Sequence, residues 1–306
     1  MRRNPEVERY AQLRHRIGSI HDLLEVTAAM RSLAAVRVQQ AQQALTGIRQ
    51  YRAVISDAMG EALPLLSPGA DVLGAAAAGF DGRRRALLMF ASEHGFVGAF
   101  NESLVERAER ELADKGGELF VVGGRGALVA EERGLPVNWA IAMATHPGQV
   151  IEVSQRVAMG LYRRFAEGQV GRIDLVFPRY QAGGRSSVEG FTLLPLDLAR
   201  FHGRIPTEAP LVNLSPEALV EALVEEYFFA ELAHAAMESF ISENGARLQV
   251  MDSAHETVEA KLDELSKLAN RVRQEEVTIE LMDIVTGAEA LRQSGGRKRA
   301  LFARSK

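Results

Sequence analysis

The amino-acid sequence predicts an α/β fold in which a compact middle of alternating strands and helices is flanked by two long helices. Three observations carry this. All ten prolines lie between Pro5 and Pro216, so residues 6–63 and 217–306 contain none. Proline removes a backbone donor and clashes with the preceding turn, so long proline-free tracts permit uninterrupted helices. Apolar residues in both tracts recur at steps of four and three, and between the tracts short apolar runs alternate with helical patterns.

In the first tract the 4-3 series runs through Leu13, Ile17, Ile20 and Leu24, then Thr27 and Arg31. It resumes at Ala34, Val38, Ala41, Leu45 and Ile48, and ends with Arg52, Ile55 and Met59. Such a seam is the heptad signature of a coiled coil, interrupted at Thr27, Arg31 and Arg52. Fifty helical residues make a rod of about 75 Å. The last tract opens on Ser215-Pro216, an N-cap followed by proline at the first helical position. Further on, Met251, Val258, Leu265, Val272 and Ile279 stand seven residues apart. Their companion row, His255, Leu262, Ala269, Glu276 and Asp283, turns acidic at its end. A seam that loses its second apolar row loses its partner helix, so beyond about Val272 the helix is expected to run alone.

In the middle, residues 85–92, 118–122 and 172–177 read as strands, and 101–115, 127–133 and 150–167 as helices. That alternation implies a parallel, doubly wound sheet. Residues 64–82 and 196–210, rich in proline, glycine or both, read as linkers. The chain therefore divides into a coiled-coil helix at 1–63, a central α/β domain with its linkers at 64–210, a second coiled-coil helix at 211–291 and a basic tail at 292–306.

Composition narrows the functions. The formal net charge of −4 gives no global reason for nucleic-acid binding. The tail concentrates Arg292, Arg297, Lys298, Arg299, Arg304 and Lys306 without an acid, and reads as a solvated, disordered end. With no cysteine there is no disulfide framework, thiol nucleophile or cysteine-bound metal. No run approaches the roughly 18–20 apolar residues of a membrane span, so a soluble protein is expected.

Candidate chemistry is sparse. Gly123, Gly124, Arg125 and Gly126 follow a strand and precede a helix, where a dinucleotide fold places its phosphate loop. Val129 stands where the third glycine belongs, and no acid follows at the distance needed for a ribose, so a tight turn is the better reading. Glu93 and His94 are adjacent, and neighbours on a strand face opposite ways, which prevents a shared proton relay. The seven histidines show no metal-ligand spacing. No catalytic residue, metal ligand or cofactor is expected. On the last helix, Asn270, Arg271, Arg273 and Gln274 put two guanidinium groups and two amides where the seam weakens. They suit either an acidic partner surface or a solvated face with pairs such as Arg273–Glu276.

Three separated motifs resemble the γ subunit, the central rotor shaft, of F-type ATP synthases. Residues 269–288 (ANRVRQEEVTIELMDIVTGA) are similar to that family's C-terminal N-R-x-R-Q…T-x-E-[IL]…[ST]-G-A signature. RIGSI at 16–20, VTAAM at 26–30 and LAA at 33–35 resemble its N-terminal pattern. SEHGFVGAFN at 92–101 resembles its S-[DE]-x-G-L-x-G-x-x-N segment. The likeness is collinear from about residue 10 to 291.

The resemblance implies an antiparallel coiled coil of the N- and C-terminal helices plus a central Rossmann-like α/β domain. The shaft would stand in a ring of α and β subunits, with the ε subunit and membrane c-ring at its foot. Such a protein is a non-catalytic rotary coupling subunit, peripheral to the cytoplasmic face of a bacterial inner membrane. By position, Arg273 and Gln274 would form a catch against β-subunit loops, with Asn270 and Arg271 beside them, and Met30 and Arg31 would face the acidic β-subunit lever. Departures from the pattern (Glu25, Ala28 and Ser32 where the family favours lysine, lysine and methionine) thin the basic collar to Arg31 and Arg37. They suggest a divergent branch, an alternative or sodium-translocating ATPase. A static coiled-coil scaffold and a dinucleotide-binding enzyme are the competing readings.

Overall fold

The computed structural model describes residues 5–66, 85–181, 186–201 and 212–303. Helix α1 spans Pro5–Ala62 and helix α5 spans Pro216–Ala303. Between them come β1 (Arg85–Phe90), α2 (Phe100–Lys115), β2 (Glu118–Val122), α3 (Gly124–Glu132), β3 (Val137–Ile141), α4 (Val150–Ala166), β4 (Arg172–Tyr180) and β5 (Ser186–Leu194). The chain forms two compact units, residues 1–29 with 252–306 and residues 30–251. Both terminal tracts are thus single helices. At the start of α5 the Ser215 hydroxyl accepts the Ala218 N–H at 3.3 Å, the capping contact expected of that residue. The end differs from expectation, because the backbone stays helical through Ala303 instead of passing into a disordered tail. Most of the two linkers, residues 67–82 of the first and 202–210 of the second, lies outside the described residues.

In the larger unit the sheet has the order β3-β2-β1-β4-β5, parallel except for the antiparallel pair β4–β5. β1 is buried along its whole length, as a central parallel strand covered on both faces must be. Its side chains alternate between two cores. Ala86, Leu88 and Phe90 join α4, Val38, Ala41 and Leu45 of α1, and Phe228–Ile241 of α5 on one face. Leu87, Met89 and Ala91 join α2 and α3 on the other. Phe90 and Phe120 are fully buried, each contributing roughly 2–3 kcal/mol by area removed from water.

Two strands were not legible in the sequence. β3 is a short edge strand that alternates half-buried and exposed residues, and its Asn138 Oδ1 accepts the Leu119 N–H. β5 carries serines and Gly190, and it owes its conformation to pairing with β4. Strand propensity is weak evidence when the partner strand decides. The strand expected over 85–92 ends at Phe90, because the Ser92 N–H turns away to the Asn101 Oδ1.

The glycine run after β2 is explained by packing. Gly123 has φ 127°, and a Cβ there would lie 2.5 Å from the Ala91 carbonyl oxygen. A Cβ on Gly126 would lie 2.1 Å from the Ala91 Cβ. Gly126→Ala should therefore lower unfolding stability by about 1–3 kcal/mol, as overpacking does. Gly47→Ala, on α1 with nothing within 4 Å, should raise it by up to about 1 kcal/mol. Urea denaturation of the two variants beside the parent checks both signs.

Candidate functional site

In the smaller unit, Leu265, Ala269 and Val272 of α5 pack with Leu13, Tyr10, Ile17 and Ile20 of α1. Among the described residues of α5, Val272 is the last that is buried. Asn270, Arg271, Arg273 and Gln274 around it are all exposed. At roughly 100° per residue Val272 points about 200° round the helix from Asn270, so anchoring that one side chain turns Asn270 and Gln274 outward. Neither arginine has an ion-pair partner among the described residues, and the Arg273–Glu276 pair of a self-satisfied solvated face is not formed. Four polar donors are thus held on a rigid helix with no carboxylate of their own.

Beyond them α5 changes character. Val277, Ile279, Leu281, Met282, Ile284 and Val285 are between 40% and 68% exposed. Taken round the helix at about 100° per residue, these six side chains cover roughly 220° of its circumference. The remaining arc holds Glu276, Glu280 and Asp283.

Of the remaining positions singled out in the sequence, Met30 and Arg37 are half-buried and Arg31 is exposed, on the part of α1 within the larger unit. The polar break in the seam at Thr27 is satisfied locally: its hydroxyl donates to the Leu24 carbonyl at 2.9 Å and lies 3.3 Å from His255 Nδ1. Asn270, Arg271, Arg273 and Gln274 share one helical turn, whereas Met30, Arg31 and Arg37 are spread along two turns of α1.

The SEHG segment is a bend beyond β1, and its carboxylate is already committed. Glu93 Oε2 accepts the Gly124 N–H at 2.9 Å and the Met143 N–H at 2.7 Å. Gly124 opens α3, where the helix dipole and free N–H groups attract an anion. Glu93 supplies that anion, so the place where a dinucleotide's phosphate would sit is filled by the chain itself. Across the bend, Arg247 of α5 donates to the carbonyls of His94 and Gly95 and, at 2.6 Å, to Glu243 Oε1. Glu243 Oε2 accepts the Glu93 N–H. Burial pushes the Glu243 carboxyl up, and the Arg247 guanidinium opposes it. Ser92 and Asn101 close the bend through mutual side-chain hydrogen bonds. The Ser92 hydroxyl, the Glu93 carboxylate and the His94 carbonyl thus all serve architecture, while the His94 side chain is exposed.

Sequence reading missed the charges inside the apolar stretch of α5. Glu231 and Glu238 are buried and meet Arg52 at 3.0 Å and Arg49 at 2.7 Å. Their seven-residue spacing within an alanine- and phenylalanine-rich run was the available signal. His234, between them, is pushed down to about 3 by burial and then by the fields of Arg52, Arg49 and Arg179. It is neutral near pH 7, so its 3.5 Å approach to Glu238 is not an ion pair.

The ATP synthase family model matches residues 9–291. Among curated relatives, the ATP synthase gamma chain of Anaeromyxobacter sp. is 27% identical over 296 residues, covering 92% of this chain and 98% of that one. The ATP synthase gamma chain of Sorangium cellulosum is 28% identical over 319 residues, with the same coverage. Among solved structures, a chain of the Euglena gracilis mitochondrial ATP synthase (OSCP/F1/c-ring, rotational state 3) superposes with a TM-score of 0.65. It covers 93% of this chain and 95% of that chain at 15% identity, a likeness of fold.

Two outcomes follow from these contacts. Arg247→Met strands the buried Glu243 carboxylate and should cost about 3–5 kcal/mol in chemical denaturation, most of it recovered by adding Glu243→Leu. His234 binds its proton in the unfolded chain near pH 6.5 and in the folded one only near 3. Its contribution is therefore complete above pH 6.5 and is lost as pH falls towards 3. The urea midpoint of His234→Gln should accordingly fall less steeply than that of the parent between pH 6.5 and 4.5.

Proposed function

The chain belongs to the ATP synthase gamma family, and from that premise we propose that it is the central rotor shaft of an F-type ATP synthase. In that role it couples ion flow through the membrane c-ring to ATP synthesis or hydrolysis on the β subunits. It is a non-catalytic subunit, peripheral to the membrane. No helix among the described residues is long and apolar enough to cross a bilayer. Its partners are the α and β subunits of the head and the ε subunit and c-ring at the foot, and the complex lies on the cytoplasmic face of a bacterial inner membrane.

The observation that carries this reading is the apolar end of α5. A helix with one partner needs an apolar stripe of at least about 100°, and apolar side chains over much more of the circumference mark a helix enclosed on more than one side. The exposed residues from Val277 to Val285 cover about twice the one-partner width. One flat docking surface leaves half of them in water, and a surrounding ring does not. The static-scaffold alternative needs the seam at 251–279 for a second copy, but Leu265 and Val272 are already used against α1.

Within this reading the division into 1–63, 64–210, 211–291 and 292–306 separates the two strands of the shaft, the foot and a basic extension. Arg273 and Gln274 act as the catch on β-subunit loops, and Asn270 and Arg271 extend that polar collar. Met30, Arg31 and Arg37 meet the acidic β-subunit lever. Coupling arises because the asymmetric shaft contacts one β conformation better than another, which shifts their populations.

Co-expression with α and β subunits should yield one complex containing a single copy of this chain, and failure to co-purify contradicts the assignment. In that complex Arg273→Ala and Gln274→Ala should lower ATP turnover while leaving the melting of this subunit unchanged. Equal turnover in both variants removes their role as the catch. Val272→Pro, at a helix-interior cost of about 3 kcal/mol or more, should abolish assembly.

A further inference from the structure

A polar cavity of about 630 Å³ in the larger unit lies among α1, β4, β5, the turn Leu198–Phe201 and α5. The rotor reading gives it no task. Four arginines line it: Arg49 and Arg52 from α1, Arg179 from β4 and Arg200 from the turn. Three carboxylates answer them. Arg49 pairs with Glu238 at 2.7 Å, Arg52 with Glu231 at 3.0 Å, and Arg179 with Glu189 at 3.1 Å.

The fourth guanidinium, Arg200, has no ion pair among the described residues, and it lies 5.9 Å from the centre of the Phe191 ring. His234 lines the same cavity and is neutral near pH 7. Among the described residues the walls therefore carry one uncompensated positive charge. The Arg49 and Arg179 side chains are 53% and 54% exposed, so solvent reaches both groups. A guanidinium has five N–H donors, and a single ion pair leaves most of them free.

We propose that this cavity binds a phosphate group, with Arg200 and Arg179 as its principal ligands. Several guanidinium forks around one cavity match the several oxygens of a tetrahedral oxyanion, and arginine is the residue whose planar fork suits phosphate best. The volume falls within the range of small-ligand sites, which favours a soluble phosphate over a protein surface. The field of Arg52, Arg49 and Arg179 at His234 has the sign that attracts an anion. Glu189 competes with the ligand for Arg179, so removing its charge should tighten binding.

The test is calorimetric titration of the purified full-length chain at constant ionic strength, with inorganic phosphate in one arm and adenosine monophosphate in the other. Saturable binding at one site with Kd near or below about 1 mM is expected. Arg200→Gln and Arg179→Gln should each weaken it about tenfold with unchanged circular dichroism, and Glu189→Gln should strengthen it several-fold. Tighter binding of the monophosphate identifies an organic ester as the ligand class, and equal binding identifies the free ion. Absence of saturable binding in both arms, or binding unaltered in both arginine variants, overturns the proposal. The co-purification outcome above is independent of either result.

Discussion

The larger unit depends on the acids buried along α5. Glu231, Glu238 and Glu243 lie among the mostly apolar buried residues of α5, and a carboxylate can be there only if cations or N–H groups meet it. Each is met. Arg52 and Arg49 reach Glu231 and Glu238 in opposite chain order, which only antiparallel helices at one relative position allow. Glu238 also accepts the Tyr180 N–H at the end of β4, and Glu243 the Glu93 N–H beyond β1. Apolar seams tolerate a slip by one heptad, because leucine and alanine meet leucine and alanine again. A slip here parts Glu231 or Glu238 from its arginine on α1, so the ionic contacts fix the position that the apolar ones make strong.

The same constraint accounts for how the sheet edge is used. In nucleotide-binding α/β folds, the C-terminal ends of the strands and the first N–H groups of a helix form the ligand crevice. Here Glu93 fills that position, Arg247 covers the bend, and the glycines bring α3 against Ala91. The fold has kept the geometry of a phosphate loop and turned it into a joint between sheet and helix.

Much of this was legible in the sequence, where periodicity and proline placement act locally. Of the fourteen positions in the N-terminal 4-3 series, only Arg31 is exposed. The loss of the second apolar row after Ala269 matches the end of burial at Val272 among the described residues. What stayed hidden depends on distant partners. β3 and β5 are strands because β2 and β4 pair with them, and nothing within residues 137–141 or 186–194 says so strongly. Glu93 was visible as a residue, but its acceptor role needs Gly124 and Met143, which are 31 and 50 residues away. The cavity arginines come from three separate elements, α1, β4 and the turn Leu198–Phe201, so no spacing could have gathered them. The exposed Asn270, Arg271, Arg273 and Gln274 were legible because one turn of helix holds them all.

The rotor reading requires the apolar end of α5 and the polar collar beside it to turn within the surrounding subunits. The most direct measurement fixes the α and β subunits of the assembled complex to a surface, attaches a probe to this chain, and follows the probe while ATP is hydrolysed. A rotor shaft predicts continuous rotation in one direction at a rate proportional to ATP turnover. A probe that stays at one angle while hydrolysis proceeds contradicts the account and makes the chain a static core.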